Sequence, residues 1–123
     1  MKTRFIILFT AFLFTLCGNV LAIGLGDITV ESGLNEPLKA RIALVRVGDM
    51  REAELLAGLA DTAEFEKLKM SRDAFYTTIR FKVDMKNPAG PSILLTSDAV
   101  VKEPSLDFLV TLTWPTGKLV RGY

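Results

Sequence analysis

The chain has 123 residues, with 15 Lys and Arg against 14 Asp and Glu and a formal charge of +1. That length allows one domain, and the near balance of charge excludes a dedicated nucleic-acid binder, which shows a basic excess or stripe. There is no His and a single Cys, Cys17, which excludes His-based triads, His metal ligands, an intramolecular disulfide and any CxxC site.

Hydrophobic residues crowd the start. Met1 to Ala22 hold Lys2 and Arg4, no acidic residue and four of the eight Phe. Lys2 and Arg4 form a positive n-region. Phe5 to Leu16 is an apolar run broken by Thr10 and Thr15, and Val20-Leu21-Ala22 offers a cleavage site. This pattern predicts a secretory signal peptide over residues 1–22, removed after Ala22. The apolar run is shorter than the roughly 20 residues of a spanning helix. Leu16 stands where a lipobox needs a small residue before Cys17. The exported chain from Ile23 then has no Cys, no membrane span, and 13 basic against 14 acidic side chains.

From Gly26 to Ser32 apolar and polar residues alternate, which predicts a half-buried strand with Ile28 and Val30 on one face. Gly33 to Pro37 is a turn cluster. Leu38 to Leu44 alternates again, with Lys39 and Arg41 facing water. Between Gly48 and Met70 the period changes. Asp49 with Glu52, and Asp61 with Glu64, have the spacing of helix caps. Phe65 and Leu68 give a short helix over Thr62–Lys69 an apolar stripe. Leu55 to Ala60 reads as helix by propensity, and its place among strands opposes that. Tyr76 to Asp84 alternates through Ile79, Phe81 and Val83. Asn87 to Pro91 is a loop, and Ser92 to Thr96 a short strand. Leu106, Phe108, Val110, Leu112 and Trp114 form the longest alternating run, with Trp114, Phe108 and Leu112 expected in the core. Trp114-Pro115-Thr116-Gly117 is a hairpin turn. A bulge at Gly117, in a conformation other residues avoid, would set Trp114 opposite Lys118 and Leu109 opposite Tyr123. Together these elements predict a mainly β chain, an antiparallel, immunoglobulin-like β-sandwich with one or two short helices.

Chemistry is sparse. Asp84, Asp98, Glu103 and Asp107 are candidate paired carboxylates, which work only if folding gathers them in a cleft. Asp84 and Asp98 sit where Asp is an ordinary turn residue. Ser32, Ser97 and Ser105 have no His to activate them, and a Ser–Lys pairing through Lys39 or Lys102 has no motif behind it. Gly24-Leu25-Gly26 is too short to cradle phosphates and precedes a strand. The acidic residues lack calcium-loop spacing. The expectation is no enzyme, no catalytic residue, no metal site and no cofactor.

The two ends of the exported chain carry a resemblance. Gly24-Leu25-Gly26-Asp27-Ile28, then Ser32-Gly33-Leu34-Asn35-Glu36-Pro37-Leu38-Lys39-Ala40, resembles the opening of the N-terminal periplasmic domain of the FimV family, which includes polar landmark proteins called HubP or TspA. Glu103-Pro104-Ser105-Leu106-Asp107-Phe108-Leu109 and Trp114-Pro115-Thr116-Gly117-Lys118-Leu119-Val120-Arg121-Gly122-Tyr123 resemble its close. Leu59-Ala60-Asp61 with Glu64-Phe65 resembles its middle block, which makes Leu55 to Ala60 a strand. Ser105 replaces a usual aromatic residue, and Gly122 a usual Glu. The resemblance spans residues 23–123. It implies a non-enzymatic interaction module in the periplasm, with protein partners in pilus or envelope machinery and a role in type IV pilus assembly, twitching motility or cell-pole organisation. An immunoglobulin-like periplasmic chaperone or subunit acting by strand donation is the rival reading. Family members continue into a LysM module, a membrane span and a helical-repeat region. These 123 residues hold none of them, so peptidoglycan binding is not implied. The family's last strand also runs several apolar residues further, so the chain is expected to be truncated within that strand.

Of the motif residues, Pro37 and Pro104 are expected to set strand starts. Asp107 is expected to pair with Arg121 across the hairpin or to cap a neighbouring backbone.

Overall fold

The computed structural model describes residues 23–123; the predicted signal peptide over residues 1–22 lies outside them. The strands are β1 (Gly24–Val30), β2 (Pro37–Val45), β3 (Leu56–Leu59), β4 (Arg80–Asp84), β5 (Ser92–Val100), β6 (Leu109–Trp114) and β7 (Gly117–Gly122), with one helix, α1 (Thr62–Lys67), between β3 and β4. They form two antiparallel sheets, ordered β1-β2-β5-β4 and β3-β6-β7.

Alternation explains the central strands. Leu38, Ala40, Ile42 and Leu44 of β2 point inward, and Ile93 and Leu95 of β5 join them. Across the sandwich, Val110 and Leu112 of β6 are fully buried. Each of the larger of these side chains contributes about 1.5–3 kcal/mol by leaving water. Arg41, expected in water, is half-buried: it donates to Ser92 Oγ at 3.2 Å and pairs with Asp84 at 3.3 Å and Glu31 at 3.8 Å.

The helix forms where its cap is. Asp61 accepts a hydrogen bond from the Glu64 amide at 2.9 Å, the arrangement its spacing predicts. It ends at Lys67, earlier than the sequence suggests. Lys69 takes a left-handed φ of 54°, and the Met70 amide reaches back to the Phe65 carbonyl at 2.9 Å, which closes the helix with a Schellman turn. Phe65 is therefore buried, whereas Leu68 is left outside at 59% exposure.

Other expectations are corrected. Asp49 and Glu52 cap no helix; Glu52–Glu54 is a single 3-10 turn preceded by Arg51, with no side-chain cap. The run from Tyr76 is not strand until Arg80, because Ala74–Thr78 forms a 3-10 turn. The Thr77 and Thr78 hydroxyls donate to the carbonyls of Ala74 and Phe75, both at 2.6 Å, and such local bonds compete with a ladder. Leu56–Leu59 is a strand, as the resemblance implies. β1 begins at Gly24, two residues early, and β5 continues to Val100.

The β6–β7 hairpin has the two-residue loop Pro115-Thr116, and Trp114 pairs with Gly117, Thr113 with Lys118 and Leu109 with Gly122. The expected bulge is absent, and Gly117 has no left-handed φ. Its smallness serves another purpose: a Cβ there would lie 2.7 Å from Trp114 Cζ2. Trp114 folds over Gly117 and stays half-buried, while Phe108 and Leu112 are buried as expected.

Candidate interaction site

The ends of β1, β5 and β7 and the starts of β2 and β6 converge at one end of the sandwich, and β1 lies beside β7. Two neighbouring features arise there, one closed and one open.

The closed feature joins the sheets. The register of β1 shifts between Leu25 and Ile28, and this bulge turns carbonyls away from the ladder. Arg121 Nη1 donates to the Leu25 carbonyl at 2.6 Å and to the Gly26 carbonyl at 2.8 Å. Tyr123 Oη donates to the Gly26 carbonyl at 2.6 Å. The Arg121 guanidinium lies 4.9 Å from the centre of the Tyr123 ring, and its Nη2 is 3.6 Å from Asp27. Burial pushes the Tyr123 phenol above its ordinary pKa, against the pull of Arg121. Gly26 is held tight from the other side, since a Cβ would lie 3.1 Å from that of Ala43. The motifs at the two chain ends, Gly24-Leu25-Gly26 and Arg121-Gly122-Tyr123, thus meet in space.

The open feature is an apolar groove of about 240 Å³, with Ile28 and Val30 on one wall, Leu106 and Phe108 on the other, Leu38 and Val101 also lining it, and Tyr123 at its mouth. Leu34 overhangs it at 54% exposure and Val30 at 57%. The overhang is built by a pinned turn. The Asn35 amide donates to the Val101 carbonyl at 2.7 Å, and the Val101 amide to the Glu36 carbonyl at 2.9 Å. Asn35 adopts a φ of 64°, a conformation Asn tolerates. The Ser97 hydroxyl accepts from the Leu38 amide at 2.9 Å and donates to the Ala99 carbonyl at 2.7 Å, which satisfies the irregular start of β2 beside Pro37.

The sequence-predicted residues fall into place around these features. Pro37 opens β2 as expected. Pro104 and Glu103 are exposed in the loop before β6 and line the groove; Pro104 starts no strand. Asp107 does not pair with Arg121. It is exposed, and its backbone amide donates to Tyr76 Oη at 3.0 Å. That bond fixes the approach to Phe108, whose ring stands 5.5 Å from Tyr76. The carboxylates are not gathered: Asp84 pairs with Arg41, and Asp98 with Arg80 in the open. Ser32 Oγ accepts from the Lys39 backbone amide at 2.9 Å. Among the described residues no three acidic or Cys side chains cluster as metal ligands, and no helix is long and apolar enough to cross a membrane. Sequence reasoning missed Val30, Leu34 and Leu106 as groove walls. An apolar Leu34 inside a turn otherwise made of Gly, Asn, Glu and Pro was the available sign.

Seven antiparallel strands in two sheets, the first, second, fifth and fourth facing the third, sixth and seventh, define an immunoglobulin-like sandwich of the constant type. The model of the FimV N-terminal domain, described as Ig-like, matches residues 23–123, and the chain belongs to that family. It is 42% identical over 102 residues to the motility hub protein FimV of Pseudomonas aeruginosa, in strain PAO1 and in strain UCBPP-PA14. The match covers 82% of this chain and 11% of each relative, so the chain spans about a ninth of their length. No solved structure matches.

Proposed function

We propose that the protein is a non-enzymatic interaction module that works in the periplasm, in type IV pilus assembly, twitching motility or cell-pole organisation. The observation that carries this is family membership across the whole described region, together with relatives named as motility hub proteins. The site supports it. The exposed apolar groove suits a protein partner, and the acidic side chains are engaged in pairs or dispersed in solvent.

Export follows from the n-region, apolar run and cleavage motif of residues 1–22. The test has two arms. N-terminal sequencing of the protein from the periplasmic fraction is expected to begin at Ile23; a chain retaining Phe5 to Leu16 overturns the location. In-frame deletion of the codons for residues 23–123 in the source organism is expected to abolish twitching zones on agar. Normal twitching overturns the motility role.

A further inference from the structure

At the far end of the sandwich from the groove lies a second hollow, about 750 Å³ and open to solvent, between the start of β1, the loop after β2 and the β6–β7 turn. Ile23, Arg46, Asp49, Met50, Glu54 and Trp114 line it. Ile23 directly precedes β1 and is 9% exposed, with its side chain joined to the core. The leader predicted over residues 1–22 ends at this residue. Hydrolysis of the Ala22–Ile23 bond consumes one water, leaves a carboxylate on Ala22 and turns the Ile23 nitrogen into an amine, which is protonated at neutral pH.

The backbone sets the direction of that nitrogen. The Glu31 amide donates to the Lys39 carbonyl at 2.8 Å, and the Leu44 amide donates to the Pro91 carbonyl at 2.9 Å on the opposite flank of β2. Odd-numbered residues of β2 therefore bond towards β1 and even-numbered ones towards β5. Gly24 stands opposite Val45, which makes Gly24 a bonded position. The Ile23 nitrogen, one residue earlier, points off the ladder, and β1 is the edge strand of its sheet.

The hollow supplies opposite charge. After β2, Arg46 and Gly48 take left-handed φ values of 57° and 59°, and the Met50 amide closes the turn on the Val47 carbonyl at 3.2 Å. This reversal brings Asp49 to the hollow that Ile23 lines. Asp49 caps no helix and, among the described residues, enters no ion pair, whereas Glu54 pairs with Arg51 at 3.6 Å. Asp49 and Glu54 against Arg46 leave the lining with one negative charge, which one ammonium balances. Because the hollow is open, the ammonium escapes the full cost of burying a charge, while the Ile23 side chain holds it in place.

We propose that this hollow seats the exported chain's own amino terminus: the Ile23 ammonium, freed by removal of the leader, pairs with Asp49 first and Glu54 second, and so anchors the start of β1. The inference rests on the export reading and adds what cleavage does for the fold.

Protein exported with its own leader is purified, and its first residue is fixed by mass. The Ile23 amine is then titrated by NMR through the Ile23 α-proton shift. It is expected to titrate above the ordinary α-amino range of about 7.7–8.0, since the two carboxylates favour the charged form against Arg46 and Arg51. Asp49→Asn is expected to return it towards that range, and Glu54→Gln to move it less. Two residues inserted between Ala22 and Ile23 carry the free amine out of the hollow. The folded-to-unfolded ratio in urea should then fall about two- to fivefold, the range of a solvent-accessible pair. That difference should be complete below the ordinary range and vanish as pH rises through the raised value. A chain that starts elsewhere overturns the export reading and the anchor with it. With the start at Ile23, three results overturn the anchor alone: titration in the ordinary range, a titration that Asp49→Asn leaves in place, or an insertion that leaves the ratio unchanged.

Discussion

Strand β1 meets the neighbourhood of β7 in two ways within seven residues. At Leu25 and Gly26 the seam is shut by polar side chains that reach across from Arg121 and Tyr123. At Ile28 and Val30, among the described residues, no polar side chain bonds across, and the groove opens. The shut half spends its polar groups on internal carbonyls, which specify how the two sheets meet. The open half keeps apolar side chains in contact with solvent. Structure and recognition are thus separated by one bulge, and substitutions on its two sides should act differently.

The largest effect is expected where core and groove coincide. Phe108 is 3% exposed and touches both. Phe108→Ala should lower stability by about 3–5 kcal/mol, read from urea unfolding. Next comes the shut half. Arg121→Ala leaves the Leu25 carbonyl without its side-chain donor and the Gly26 carbonyl with Tyr123 Oη alone, and should cost about 1–3 kcal/mol. An unchanged urea midpoint would show that water replaces Arg121 and that the seam is no lock. Gly117→Ala, away from the seam, should cost about 1–3 kcal/mol through overpacking against Trp114 and shift the tryptophan emission to the red as the ring is displaced.

A smaller effect depends on pH. The Tyr123 phenol has a raised pKa in the folded protein. The folded state therefore holds its proton longer than the unfolded chain. The stabilisation is complete below the ordinary tyrosine value of about 10 and is lost as pH rises through the folded value. Unfolding midpoints should fall over that alkaline range, and Tyr123→Phe should flatten the slope. The smallest change in stability, within about 0.5 kcal/mol, is expected for Leu34→Ala in the open half. A large loss of stability there would erase the distinction between the halves.

Much of this architecture was readable in advance. The period-two runs at Leu38–Leu44 and Leu106–Trp114 locate β2 and β6, the latter starting only at Leu109, and Asp61 with Glu64 marks the helix start to the residue. What escaped reading depends on contacts distant in sequence. Local spacing offers Asp107 either Arg121 across the hairpin or a neighbouring backbone, yet Arg121 binds the carbonyls of Leu25 and Gly26. The hairpin register failed because Gly117 was given a backbone role, whereas its lack of a side chain makes room for Trp114. Leu68 failed because the left-handed Lys69 closes the helix two residues early. The groove escaped for a related reason: its walls come from four separate segments, and alternation alone says only that Val30 shares a face with Ile28.

The shut half of the seam also constrains when the domain can be completed. Arg121 and Leu25 are 96 positions apart, so almost the entire domain is the loop that their bond closes. A chain released N-terminus first must carry β1 without its lock until Arg121 is free. Closing so long a loop is entropically costly until many other contacts share the cost, and topologies of this kind fold slowly. Assembly of the seam is therefore a late step of folding, and β1 stays unlocked until then.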